Sequence, residues 1–239
     1  SPILEKENAE TAGASLFLTE LYLLTGNNKH LTGAKRAVDY LEKNIIPENK
    51  WFDYETFFSC SRKDIGFYDN YTKQHPQNTL SLFMAVDTYK NLYLISSDES
   101  DLKKGIRLLD YLLLYQQVWS PSFLSRPLLG GFGVQNTDAD WSDARQAYFS
   151  ITLLDFYKIT GRREYCERAV EAARSMYGCY EEGTVRCYEN YGHSGSDEVT
   201  GVTGISWGTG SSMTSLSIIQ QNYGDLFIDI KEKWGKAVN

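Results

Sequence analysis

Three carboxylates fall within six residues in the segment TDADWSDARQ: Asp138, Asp140 and Asp143. The apolar run that follows makes this the start of a helix, where acids suit the helix dipole and cap free N–H groups. Capping needs only one of them, so the others are available for chemistry. Trp141 and Arg145 lie four residues apart and share a helical face, and Gln146 follows. An aromatic, an arginine, an amide and several acids together suit a hydroxyl-rich ligand, with Asp143 or Asp140 as catalytic acid or base. A second group lies in WFDYETFF, where Asp53 and Glu55 are two apart and share one face of an extended segment. The aromatics around them exclude water, the setting in which a carboxylic acid becomes a general acid. The alternative is that these two acids cap helices or pair with Arg62 and Lys63. Gln77 and Asn78 follow Pro76, a residue suited to the first turn of a helix. In a third segment, ENYGHSGS, Tyr191 and His193 are either a base and acid for proton abstraction or ordinary loop residues.

Other chemistries lack their signatures. No Cys-x-x-Cys or His-x-x-x-His pair is present, and the EF-hand spacing is absent, so neither metal nor cofactor is expected. The GGFG run at 130–133 is not a phosphate-binding fingerprint. Of the four cysteines, Cys166 reads as a buried thiol, while the spacing of Cys179 and Cys187 allows them to pair across a loop.

The elements that carry these groups form a repeat. SLFLTELYLLTGNNKHLTGAKRAVDYL, SLFMAVDTYKNLYLISSDESDLKKGIRLLDYL and YFSITLLDFYKITGRREYCERAVEAARSMY share one plan: an apolar helix, a tight turn, an amphipathic helix. Gly26, Ser97 and Gly161 align at the turns. A weaker fourth copy, SMTSLSIIQQNYGDLFIDIKEKW, has Gly224 there. The turn glycines suit a left-handed helix C-cap. Leading helices apolar nearly all round are expected to be buried on most sides, and the charged trailing helices to meet solvent. That alternation describes an α/α-toroid of about four hairpins, a partial barrel forming a single domain over 1–239. The turn positions are 63 to 71 residues apart, too long for the ~34 of a tetratricopeptide array. The long connections, at 48–75, 118–140 and 181–206, then share one end of the bundle. Trp51, Trp119, Trp141 and Trp207 lie in them or at the next helix start, and line a cleft or plug the barrel mouth.

The chain carries a net charge of −7, which argues against nucleic acid as a partner. No apolar run approaches the ~20 residues of a membrane span. Aromatic residues make up 14%, with Tyr leading at 17. Such side chains pack sugar faces and also serve ordinary cores.

The hairpin repeat, together with WFDYETFF, PQNTLS, LLLYQQVW, GGFGVQNTDADWSDARQAYF and ISWGTGSS, resembles the six-hairpin glycosidase-like superfamily, including bacterial carbohydrate-active and hypothetical proteins. The resemblance implies a glycoside hydrolase working through paired carboxylates on an oligosaccharide or polysaccharide, with a polysaccharide lyase using Tyr191, His193 and Arg145 as the second enzyme class. A non-catalytic glycan-binding or scaffold module is the third reading. It also implies about six hairpins, so the remaining ones are expected from the same polypeptide or a partner chain. A periplasmic or extracellular location is favoured over a cytoplasmic one. The expected site comprises Asp143, Asp140, Asp53 and Glu55 as catalytic groups. Trp51, Trp119, Trp141, Arg145, Gln146, Gln77, Asn78, Tyr191, His193 and Trp207 are the expected substrate contacts.

Overall fold

The computed structural model describes residues 8–54, 56–57, 63–137, 140–192, 195–200, 207–229 and 234–238. It contains seven α-helices among those residues: α1 (Thr11–Thr25), α2 (Asn28–Asn44), α3 (Thr79–Ser96), α4 (Glu99–Leu112), α5 (Ala147–Thr160), α6 (Arg163–Ser175) and α7 (Trp207–Tyr223). The chain divides into two compact units. One comprises residues 1–114 with 135–137, the other 115–134 with 138–239.

In the first unit, α1 pairs with α2 and α3 with α4, and the leading helices α1 and α3 pack together. Each leading helix ends on a residue in the left-handed conformation, Gly26 (φ 66°) and Ser97 (φ 59°), whose N–H bonds back to Tyr22 and Tyr93. The following residue or the next starts the trailing helix: the Asn27 side chain caps α2 and the Asp98 side chain caps α4. The trailing helices bury one stripe each, Ala34, Val38 and Leu41 on α2 and Leu102, Leu108, Leu109 and Leu112 on α4. Between α1 and α3 the seam is polar: Ser15 Oγ meets Thr88 Oγ1 at 2.8 Å, and Asn91 Nδ2 donates to Thr19 Oγ1 and Glu20 Oε1.

In the second unit α5 pairs with α6, and α7 packs on α5. Gly161 ends α5 at φ 69°. A three-stranded antiparallel sheet of very short strands joins distant loops: β1 (Ser142–Asp143), β2 (Asn190–Tyr191) and β3 (Val199–Thr200).

The fourth repeat departs from the plan. Gly224 ends α7 in the left-handed conformation, as the alignment requires. Among the described residues a trailing helix does not follow. Instead β4 (Asp225–Asp229) pairs with β5 (Trp234–Val238) as an antiparallel hairpin that packs on α6. The run Leu226-Phe227-Ile228 is short and rich in strand formers, and periodicity over so few residues does not separate helix from strand. No helix among the described residues is long and apolar enough to cross a membrane.

Candidate functional site

In the first unit, the loop after α2 is tied to the start of α3. Asp53 Oδ1 accepts from the Thr56 backbone N–H (2.8 Å) and hydroxyl (2.7 Å). Its Oδ2 accepts from Asn78 Nδ2 (3.3 Å) and the Ser81 hydroxyl (3.2 Å). Asn78 caps α3 at the same time, its Oδ1 accepting from the Leu80 and Ser81 N–H groups. Gln77 accepts from the Trp51 N–H through Oε1 and donates to the His75 carbonyl through Nε2. Asp53, Gln77 and Asn78 are each 4% exposed, and Trp51 is fully buried. These four candidates therefore come together as a buried, hydrogen-bonded junction. Glu55 and Arg62 lie outside the described residues.

In the second unit, β1 sets the acids. The Trp141 N–H bonds to the Tyr191 carbonyl, the Asp143 N–H to the Phe132 carbonyl and the Ala144 N–H to the Glu189 carbonyl. Asp143 ends this extended stretch (φ −117°), and its Oδ1 caps the 3-10 turn Ala144–Gln146 that leads into α5. Arg145 folds back onto it, Nε donating to Oδ1 (3.0 Å) and Nη2 to Oδ2 (2.7 Å). Arg145 Nη2 also lies 3.2 Å from Glu189 Oε1. Asp140 is 3% exposed, and its Oδ2 accepts from Asn190 Nδ2 at 3.2 Å. Gln146 is buried. Asp138 and His193 are outside the described residues, as is the Trp207 side chain; its backbone begins α7.

Beside these acids stands an aromatic wall. Trp119 and Phe123 each meet Trp141 edge to face, with centroids 6.3 and 6.1 Å apart. Trp119 and Phe123 are both 59% exposed. Trp141 Nε1 is buried and meets no acceptor among the described residues. Gly192, at φ 84°, lies flat against the Trp141 indole, and a Cβ there would overlap the ring. Next to Trp141 in the sheet register, Tyr191 donates through its hydroxyl to Asp197 (2.5 Å). Ser125 bonds both, and the Arg126 guanidinium sits over the Tyr191 ring at 5.6 Å. Burial, and then the Asp197 hydrogen bond, raise the Tyr191 phenol above its ordinary range. The same hydrogen bond lowers Asp197. A phenol held in its neutral form by a carboxylate is a hydrogen-bonding group rather than a base.

Cys179 and Cys187 are free thiols, so the pairing that their spacing allowed is absent. They belong to an apolar cluster with Leu128, Ala144 and Tyr191. Burial pushes both thiols up, Cys187 to about 11. Phe123, Ser125, Arg126, Asn190 and Asp197 were not among the sequence-derived candidates. Nothing in their local spacing marks them, because strand pairing and loop packing bring residues such as Ser125 and Asp197 together.

No protein-family model matches this chain, and no curated protein matches it. Solved structures do. An inactive variant of the alpha-1,6-mannanase GH76A of Salegentibacter sp. HEL1_6, in complex with alpha-1,6-mannotriose, matches with a TM-score of 0.63 at 14% identity, over 92% of this chain and 57% of its own. The cellobiose 2-epimerase from Bacillus thermoamylovorans B4167 matches with a TM-score of 0.54 at 17% identity, over 97% of this chain and 63% of its own. At such identities the likeness establishes the fold alone: paired antiparallel helices of the α/α-toroid. The chain spans about 57–63% of the length of these two structures.

Proposed function

We propose that this chain forms the carbohydrate-handling part of a glycoside hydrolase, with Asp140 and Asp143 as the working carboxylates. The observation that carries the reading is local to the second unit. Two buried acids from one extended segment flank Trp141, whose indole continues into the exposed wall of Trp119 and Phe123. Aromatic faces of this kind stack on sugar rings, and the Tyr191, Ser125 and Asp197 groups nearby suit hydroxyl recognition. Asp143, held at both oxygens by Arg145, serves as the carboxylate that takes a proton from water or attacks the anomeric carbon. Asp140 supplies the proton to the departing glycosidic oxygen. Asp53 we assign to holding its loop, since four donors converge on it. Binding of alpha-1,6-mannotriose by the matched mannanase makes that trisaccharide the first ligand to try.

The same geometry favours one second reading, a glycan-binding module without chemistry. Asp143 is already fully engaged by Arg145 and by the helix cap, and folds do not fix reactions. Turnover and melting temperature measured together on Asp140→Asn and Asp143→Asn separate the two. Loss of a positioned acid or base costs about 10²–10⁴-fold in rate. The hydrolase reading expects that loss for Asp140→Asn at an unchanged melting temperature. Binding of mannotriose with no hydrolysis of any glycan by the unmutated protein would select the binding module.

A further inference from the structure

A pocket of about 410 Å³ opens in the first unit between residues 48–52 after α2, residues 68–77 before α3, and Tyr111 on α4. That volume falls within the range of small-molecule sites. Apart from Phe52, Tyr68 and Tyr111, its lining is polar or charged. Phe52 is buried, whereas Tyr68 is 43% exposed. Both rings pack against His75, with centroids 5.0 and 5.1 Å from its own. His75 Nδ1 donates to the Phe67 carbonyl at 2.7 Å. That bond leaves Nε2 as the ring atom with which His75 can meet a ligand.

The charges around this pocket are unevenly committed. Lys50 Nζ pairs with Glu48 at 3.1 Å. Asp69 Oδ1, on the turn that closes at Gln74, accepts from the Tyr71 N–H at 2.8 Å. Lys73 is exposed and forms no ion pair among the described residues. The backbone sets its position: the Lys73 N–H donates to the Asp69 carbonyl, and the Asp69 N–H to the Gln74 carbonyl. Closing that turn puts Lys73 at φ 59°, a left-handed conformation that Gly or Asn adopts more readily. Asn49 also lines the pocket, at φ 51°. Ser97 is the other described non-glycine residue with positive φ, and it ends α3. Backbone held in such regions clusters at ligand sites.

We propose that this pocket binds a sugar unit carrying one negatively charged group. The Lys73 ammonium, supported by Lys50 and His75, takes the anionic group. The exposed flank of Tyr68 takes the apolar face of the sugar ring, and the Asn49 and Gln74 amides take its hydroxyls. A purely apolar ligand would strand those amides and charges, and a bare anion would leave Tyr68 uncovered. The preference for negative charge runs against the chain's net −7, so it is local to this pocket. The lining residues all belong to the first unit. The site is therefore independent of the reaction proposed above, whose carboxylates belong to the second.

The test is isothermal titration of the protein with glucuronic acid, glucose 6-phosphate, glucose and inorganic phosphate, with backbone amide NMR shifts locating the contacts. At least one acidic sugar should bind at millimolar concentration or below, about tenfold or more tighter than glucose and than phosphate. The shifts should centre on residues 48–50 and 68–75. Which acidic sugar binds names the anionic group, a carboxylate or a phosphate. Lys73→Asn keeps the left-handed backbone and removes the charge. It should weaken binding about tenfold or more, while Lys73→Arg should keep most of the affinity. Binding of glucose or of phosphate as tight as that of the acidic sugars would overturn the proposal. So would no binding of either acidic sugar, or undiminished binding by Lys73→Asn. Loss of acidic-sugar binding in Trp119→Ala but not in Lys73→Asn would move the ligand to the second unit and overturn it too.

Discussion

Asp53 and Asp143 are both buried acids at the approach to a leading helix, yet the chain holds them by different chemistry. Around Asp53 the donors are neutral: a backbone N–H, two hydroxyls and an amide. The cap of α3 is delegated to Asn78. Around Asp143 the acid is itself the cap, and its second partner is a guanidinium with 12% of its side chain exposed. The first arrangement is a closed polar junction with no free face. The second leads outward through Arg145 to Glu189 and lies two residues from the partly exposed Trp141. The first unit thus uses its buried acid to fasten a loop, and the second uses one to build a charged, aromatic-lined surface.

The largest test of that contrast is to remove each acid. Asp143→Ala leaves the Arg145 guanidinium without its bidentate partner and the 3-10 turn uncapped. Breaking a buried ion pair costs about 3–5 kcal/mol. Denaturant unfolding should show a loss of that size, and a loss below ~1 kcal/mol would mean that Glu189 alone satisfies Arg145. Asp53→Ala removes an acceptor from four neutral donors, each worth about 1 kcal/mol net. The expected loss is smaller, roughly 2–3 kcal/mol, because Asn78 can turn toward Thr56 Oγ1, already 3.5 Å from its amide nitrogen. If Asp53→Ala proves the more damaging, the ranking of charged over neutral partners is wrong.

A titration probes what lies beneath the charged surface. Burial raises the Cys187 thiol from its ordinary value to about 11. In the unfolded chain a thiol ionises near pH 8.5. A raised folded value means that the contribution is complete below the unfolded value and is lost as pH rises toward the folded one. Stability should therefore fall between about pH 9 and 11, by on the order of 1–2 kcal/mol, and Cys187→Ser should flatten that limb. Reversible urea unfolding across that range is the measurement. An identical alkaline limb in Cys187→Ser would place the loss elsewhere, for example in the raised Tyr191 phenol.

How much of this was legible in the residues follows from range. The helical pairs were, because Gly26, Ser97, Gly161 and Gly224 mark helix ends by a local backbone requirement. The caps at Asn27, Asp98 and Asn78 are equally local, yet the sequence reading passed over the first two and took Asn78 for a substrate contact. The β4–β5 hairpin was not, because three apolar residues between Asp225 and Asp229 carry no decisive period. Burial of α1 was overestimated: Phe17 and Leu24 are apolar but face outward, and an apolar helix does not say how many neighbours it has. At the candidate site, Trp119 and Trp141 come together in the second unit, as their loop positions suggested. Trp51, drawn from the same argument, is fully buried instead. The Tyr191–Asp197–Ser125 network was invisible because its members are joined only by tertiary pairing.

The smallest expected change in stability sharpens the comparison most. Trp119 is 59% exposed and meets Trp141 by one edge-to-face contact. Substituting an exposed side chain away from the core moves stability by within about 0.5 kcal/mol, and such an aromatic pair adds about 0.5–1.5 kcal/mol at most. Trp119→Ala should thus melt within a few degrees of the parent protein. If the wall is a sugar platform, the same substitution should weaken mannotriose binding by roughly tenfold or more, the equivalent of ~1.4 kcal/mol of lost stacking and exclusion of water. Isothermal titration on the parent, Trp119→Ala and Trp119→Phe checks this. Phe keeps a flat face and should restore part of the affinity, an outcome that a merely structural Trp119 would not produce. Unchanged affinity in Trp119→Ala, in a protein that does bind the trisaccharide, would take the wall out of the site.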